Sequence, residues 1–196
     1  MGDAMKKILV ISAASAALAS TLAIVPAQSP SFAAAATALR SATPAAAPDA
    51  AARLIGMDGQ PAGVVLFHQT PAGVQIDINA SHLPPGVHGI HIHAVGKCEA
   101  PGFKTAGAHF DVGGHAHGRL DPHGPHTGDM ANQTAGKLGF LRATVIDPSV
   151  TLGPGPTSLF DADGSSIVIH AGSDDYKSQP AGNSGDRIAC GVIKTM

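Results

Sequence analysis

The sequence predicts an all-β domain, a sandwich or barrel of seven or eight short antiparallel strands. From Arg53 onward, short segments of alternating polarity are separated by turn residues, and no convincing 3.6-residue period interrupts them. Composition agrees: glycine (24) and proline (15) are abundant while aromatic residues make up only 4%. That mix suits a turn-rich β architecture better than a helical bundle.

Taken in order, Asp58-Gly59 stands between Leu54-Ile55 and Val64-Val65-Leu66-Phe67 and predicts a hairpin. Ala72-Gly73 precedes Val74-Gln75-Ile76-Asp77-Ile78-Asn79, where apolar residues fall on every second position. Pro84-Pro85-Gly86 punctuates before a β-branched run that includes His91 and His93. Further strands are predicted over Leu138 to Asp147 and at Leu159-Phe160. Asp163-Gly164 leads into Ser166 to His170, and Arg187 to Lys194 closes the chain.

The N-terminus reads as an address. Lys6-Lys7 is followed by an apolar run, Ile8 to Val25, rich in Ala and Ser and free of acidic residues. Small residues follow, as Val25-Pro26-Ala27 or Ser31-Phe32-Ala33, and either ends a secretory signal peptide, placed at residues 1–33. The alternative, a membrane anchor, fits less well because Ala and Ser make the run only mildly apolar. Residues 34–52 are low in complexity and are assigned to an Ala/Pro-rich disordered linker. Residues 53–196 form the folded domain. A formal net charge of −2 offers no footprint for nucleic acid or an anionic membrane surface.

Chemistry concentrates in the histidines. His91 and His93 are two apart on a predicted strand, so both imidazoles leave the same face and make half of a metal site. Gly107-Ala108-His109-Phe110-Asp111 supplies a third imidazole. A Gly/Pro/His-rich loop then carries His115, His117, His123, His126 and Asp129, and Ile167-Val168-Ile169-His170 ends another strand on one more.

The run Gly86-Val87-His88-Gly89-Ile90-His91-Ile92-His93-Ala94-Val95-Gly96 and the segment around His109 resemble the signature of the copper–zinc superoxide dismutase family, bacterial exported type. Gly182-Asn183-Ser184-Gly185-Asp186-Arg187-Ile188-Ala189-Cys190-Gly191-Val192-Ile193 is similar to the family's C-terminal motif, so the resemblance spans about residue 53 to the end. It implies a Greek-key β-barrel with two long loops, here about 96–137 and 171–186. It implies copper and zinc as cofactors and superoxide as substrate, with conversion to dioxygen and hydrogen peroxide. Copper ligands carried over by motif are His91, His93, His109 and His170. Those for zinc are His109, His117, His126 and Asp129, with His109 bridging both metals.

Family spacing selects His117 and His126 over His115 and His123, which default to solvated loop residues, as do His68 and His82. His88 looks like a structural histidine, Asp174, with its neighbour Asp175 as the alternative, like the carboxylate joining His91 to His117, and Arg187 like the active-site arginine that docks the anion. The resemblance also implies a Cys98–Cys190 disulfide, which an exported chain favours. Closing a loop of ~90 residues stabilises by at most about 4–5 kcal/mol on the chain-entropy model. Val112-Gly113-Gly114 and Met130-Ala131-Asn132-Gln133 depart from the family pattern. A periplasmic or secreted protein follows, a monomer or a homodimer without a membrane span after signal cleavage. The rival class is a non-enzymatic copper/zinc-binding or chaperone module on the same barrel.

Overall fold

The computed structural model describes residues 47–196. The signal peptide read over 1–33 and residues 34–46 of the linker lie outside the described residues. Among those described, the chain forms strands β1 (Ala50–Gly56), β2 (Pro61–Thr70), β3 (Gly73–Ala80), β4 (Gly86–His88) and β5 (Ile90–His93). After a long loop come β6 (Gln133–Ala135), β7 (Leu141–Asp147), β8 (Ser166–His170) and β9 (Arg187–Thr195). No helix among the described residues is long and apolar enough to cross a membrane.

Seven strands form one antiparallel sheet in the order β5-β8-β9-β1-β2-β3-β7, and β4 pairs with β6 in a separate ribbon. β4 runs through Gly89 into the edge strand β5, and β6 runs through a tight turn into the opposite edge, β7. The β4–β6 pairing therefore ties the two edges of the curled sheet together and leaves a barrel with few open hydrogen-bonding edges.

The alternation read from the sequence sets the core. In β3, Val74, Ile76, Ile78 and Ala80 are buried while Gln75, Asp77 and Asn79 face outward. Phe67, Ile90, Ile92, Leu141, Ile167 and Ile169 meet them from neighbouring strands. The first hairpin turns at Gly59, whose φ of 77° favours glycine.

Three boundaries differ from the sequence reading. β1 begins at Ala50, inside the stretch assigned to the linker. Ala50 and Ala52 are fully buried, opposite Phe67 and Val65 on β2 and opposite Thr195 and Ile193 on β9. Alanine carries little β signal of its own, so pairing on both sides makes this strand. β7 starts at Leu141, because Gly139 (φ 75°) turns the chain and leaves Leu138 85% exposed. Leu159-Phe160 forms no strand: the segment follows Pro154 and Pro156 in a turn, yet Leu159 is fully buried as a plug in the core.

A second, smaller cluster lies under the loop after β5. Phe103 and Ala106 pack on Val168 and Cys190, with Cys98 and Ile55 beside them. Here Cys98 and Cys190 form the disulfide, across 92 residues of sequence.

Candidate metal centre

β5 and β8 are unusual strands, buried at every position. Strand alternation sends Ile90, Ile92, Ile167 and Ile169 into the barrel and His91, His93 and His170 to its outer face. The outer face is covered because the two long loops fold over it, and they bring further imidazoles with them. His109 stands in a bridge opposite His93, and the loops supply His117, His126, Asp129 and Asp174.

Five of the six imidazoles, all but His126, are held by one ring nitrogen, leaving the other free. His93 Nδ1 lies 3.0 Å from the Gly107 carbonyl and His170 Nδ1 3.2 Å from the Gly185 carbonyl. His91 Nε2 is 2.8 Å from Asp174 Oδ2, and His117 Nε2 is 3.0 Å from Asp174 Oδ1. The nitrogens left over are His91 Nδ1, His93 Nε2, His109 Nε2, His117 Nδ1, His126 Nδ1 and His170 Nε2, all buried without a hydrogen-bond partner. A buried polar atom without a partner costs about 1–3 kcal/mol. Six in one place fit metal coordination, where each lone pair has a use.

Five of these residues fall into two groups, and His126 belongs to neither. Ligand atoms of His91, His93, His109 and His170 lie within 4.8 Å of one another, as do those of His91, His109, His117 and Asp129. Around Asp129, His109 Nδ1 lies 2.8 Å from Oδ1, His117 Nδ1 3.0 Å from Oδ2 and His126 Nδ1 3.4 Å from Oδ1. The His117 and His126 approaches lack hydrogen-bond geometry despite their closeness. Three ring nitrogens thus crowd one carboxylate, only one of them hydrogen-bonded to it. Ligands about 2.0–2.1 Å from a tetrahedral zinc sit about 3.3 Å apart, close to this spacing. His91 joins the second group because Asp174 draws its ring beside that of His117, 5.5 Å between centroids. His109, like His91, takes part in both clusters, with Nδ1 on Asp129 and Nε2 without a hydrogen-bond partner.

Electrostatics keep these groups in metal-binding form. Burial first, then the neighbouring His109 and Arg187, push His93 down to about 2. Burial and His91 take His170 to about 3. His109 falls to about 4, burial outweighing the upward pull of Asp129. Burial alone would raise Asp129, but hydrogen bonds from His109 and the Gly118 N–H hold it well below the usual carboxylate range. Asp174 is likewise lowered, burial being overcome by His91 and His117. His93, His109 and His170 are thus neutral imidazoles, and Asp129 and Asp174 ionised carboxylates.

Arg187 starts β9 beside the first cluster. Its Nη1 donates to the Phe103 carbonyl (2.9 Å) and its Nη2 to the Gly107 carbonyl (2.8 Å). It lines an open cleft with Lys104, Gly185 and Asp186.

The other histidines stand apart. His88 is buried with both ring nitrogens on carbonyl oxygens, 2.7 Å from His170 and 2.8 Å from Pro84, so neither is free for metal. His115 is tied to Asp111 at 2.7 Å, and the same carboxylate accepts from the His115 and Gly113 N–H groups. Asp111 therefore organises the Val112-Gly113-Gly114 turn, with Gly114 at φ 68°. The His123 side chain is 85% exposed. His68 meets Asp77 at 3.4 Å on the outer sheet face, and His82 is exposed.

Three contributors have no role legible in the sequence, although Gly182 opens the C-terminal motif. A Cβ at Gly182 would overlap the Asp174 carboxylate and crowd His117 Nε2. Asn132 and Gln179 reach the site from the two loops, and a loop amide leaves no spacing pattern to read.

Residues 61–193 match the profile of the copper/zinc superoxide dismutase (SODC) family. Over 145 residues the chain is 48% identical to Superoxide dismutase [Cu-Zn] 1 of Aquifex aeolicus, covering 73% of this chain and 86% of that protein. It is 44% identical over 140 residues to the Superoxide dismutase [Cu-Zn] of Caulobacter vibrioides, covering 70% and 80%. Among solved structures, a double mutant of a superoxide-dismutase-like protein from Bacillus subtilis superposes with a TM-score of 0.71 at 36% identity, covering 72% of this chain and 95% of that one. The chain belongs to the copper/zinc superoxide dismutase family, oxidoreductases whose cofactors are copper and zinc.

Proposed function

We propose that this chain dismutates superoxide, with His91, His93, His109 and His170 holding copper and His109, His117, His126 and Asp129 holding zinc. One observation carries the assignment: six buried ring nitrogens lack partners, five of them in two groups that share His91 and His109, and the sixth, His126 Nδ1, 3.4 Å from Asp129 of the second group. Copper supplies one-electron redox chemistry in both directions, and four imidazoles suit it.

The protein's own groups do the rest. Arg187 docks the superoxide anion at the mouth. Its two carbonyl bonds fix the guanidinium at the edge of the cleft and leave N–H donors to spare for an anion. His109 Nε2 takes a proton in one half of the cycle and returns it in the other, while Nδ1 stays on the Asp129 side. The returned proton and one from water complete hydrogen peroxide; the other product is dioxygen. Asp174 holds the tautomers of His91 and His117, each donating its Nε2–H to one carboxylate oxygen.

The Cys98–Cys190 disulfide supports an oxidising compartment, and together with the signal peptide read over 1–33 it supports a periplasmic or secreted mature chain. We set the start of the folded domain at Ala50, leaving 34–49 as the linker.

The test combines metal content with activity. After reconstitution the mature chain should hold one copper and one zinc and dismutate superoxide. Arg187→Lys should lower catalytic efficiency, and Arg187→Ala should lower it further with both metals retained. Full zinc without specific copper would favour the binding module instead, and near-wild-type dismutation by Arg187→Ala would remove the anion-docking role.

A further inference from the structure

We infer that Asn132 and Gln179 are reciprocal positioning residues, each an amide from one long loop that grips the backbone of a metal-site residue on the other. The inference rests on the metal assignment above. Asn132, three residues after Asp129, donates from Nδ2 to the Asp174 carbonyl (2.8 Å) and accepts the Asp174 N–H at Oδ1 (2.9 Å). Gln179, five residues after Asp174, donates from Nε2 to the His117 carbonyl (3.0 Å) and accepts the His117 N–H at Oε1 (2.8 Å).

Each pairing satisfies both backbone groups of its target residue. Only Asn and Gln carry a donor and an acceptor side by side in one plane, matching a residue's own N–H and C=O. The network also fixes the orientation of each amide, because a flipped group would set donor against donor.

The two targets are joined through the Asp174 carboxylate. Asp174 Oδ1 meets His117 Nε2, and Asp174 Oδ2 meets His91 Nε2. Asn132 thus ties Asp174 to the loop that carries Asp129, and Gln179 ties His117 to the loop that carries Asp174. Tyr176 closes the circuit. Its N–H donates to Asp174 Oδ1 (2.6 Å), its hydroxyl accepts the Asn132 N–H (2.8 Å), and its ring lies under Arg119 at 4.7 Å. With both ends clamped, Asp174 cannot shift without moving His91 on one side and His117 on the other. The amides therefore couple the geometry of the copper-side His91 to that of the zinc loop while touching neither metal.

Asn132 is the more sheltered clamp. Gln179 is exposed and shares Nε2 with the Lys177 carbonyl (3.1 Å) and Asp121 (3.4 Å), so water replaces its grip more readily.

The experiment uses the protein loaded with copper and zinc. Zinc transfer to a chromophoric chelator and the copper electron paramagnetic resonance spectrum are measured for wild type, Asn132→Ala, Gln179→Ala and the double variant. Asn132→Ala should speed zinc release on the order of tenfold, the scale typical of losing a group that orients a ligand. Gln179→Ala should have a smaller effect, and the double variant should fall short of the product of the two because both hold one carboxylate. The copper spectrum should change in Asn132→Ala, a response that loss of general loop stability would not give. Zinc release within twofold of wild type in both single variants, with an unchanged copper spectrum, would overturn the inference. Hydrogen exchange on the metal-loaded wild type needs no variant: the Asp174 and His117 amides should be protected, and rapid exchange at both would also overturn it. A wild-type chain that binds no zinc at all would overturn the metal assignment itself, an outcome the release rates keep separate.

Discussion

Two imidazoles in the first long loop were chosen against two others by spacing, and single side chains show what separates them. His117 is fully buried, with Nδ1 3.0 Å from Asp129, while His115 turns its Nδ1 to Asp111. Replacing His117 or His126 by Ala should weaken zinc affinity by several orders of magnitude, since each removes one of the four proposed ligands. His115→Ala and His123→Ala should change it little, and competition with a calibrated chelator measures all four. Unchanged affinity in His117→Ala or His126→Ala would remove that residue from the site. His91, His93 and His170 were legible because strand spacing and family motifs mark them. Asn132 and Gln179 were not, because their partners lie 42 and 62 residues away. Asn132 sits in a stretch visible only as a departure from the family pattern, and the contact gives that departure its sense.

One element joins the disulfide to the arginine proposed to dock the anion. Phe103, fully buried with φ at 51°, pins the loop after β5 against Val168 and Cys190, and the carbonyls of Phe103 and Gly107 hold the guanidinium of Arg187. Phe103→Ala empties this small cluster and should destabilise the protein by about 3–5 kcal/mol, read from urea unfolding of the oxidised protein. Dismutation per bound copper should fall as well, because one anchor of the arginine loosens. A drop in stability with full activity per copper would mean that the segment does not position Arg187. At this scale the sequence showed the strands whose polarity alternates, as in β3, and missed β1 at Ala50–Ala52. Methyl groups between two neighbours make a strand only once those neighbours exist. Leu159 was misassigned for a related reason: a buried apolar pair looks the same whether it lies in a strand or plugs a turn.

For the molecule as a whole, acid is the stress to which the metal-free centre responds. His109, His170 and His93 sit at about 4, 3 and 2 in the folded protein, against about 6.5 when unfolded. Their pKa values are lowered by folding, so between these limits the unfolded chain binds more protons. The stability they contribute is complete above pH ~6.5 and is lost as pH falls toward 4 and below, by up to about 1.4 kcal/mol per pH unit for each group. Denaturant titrations of the metal-free, oxidised protein from pH 7.5 to 5 should show that decline, and a flat profile would contradict the burial assigned to these rings. The barrel and the position of its centre were legible in advance, whereas the way β4 and β6 tie the two sheet edges together is a tertiary pairing with no local mark. The alternation along β5 and β8 carries a wider consequence. Isoleucines on one side hold the barrel and histidines on the other hold the chemistry, so neither set depends on the other to keep its place. A descendant could exchange an outward imidazole for a different side chain, losing or regaining reactivity, and still inherit an intact scaffold.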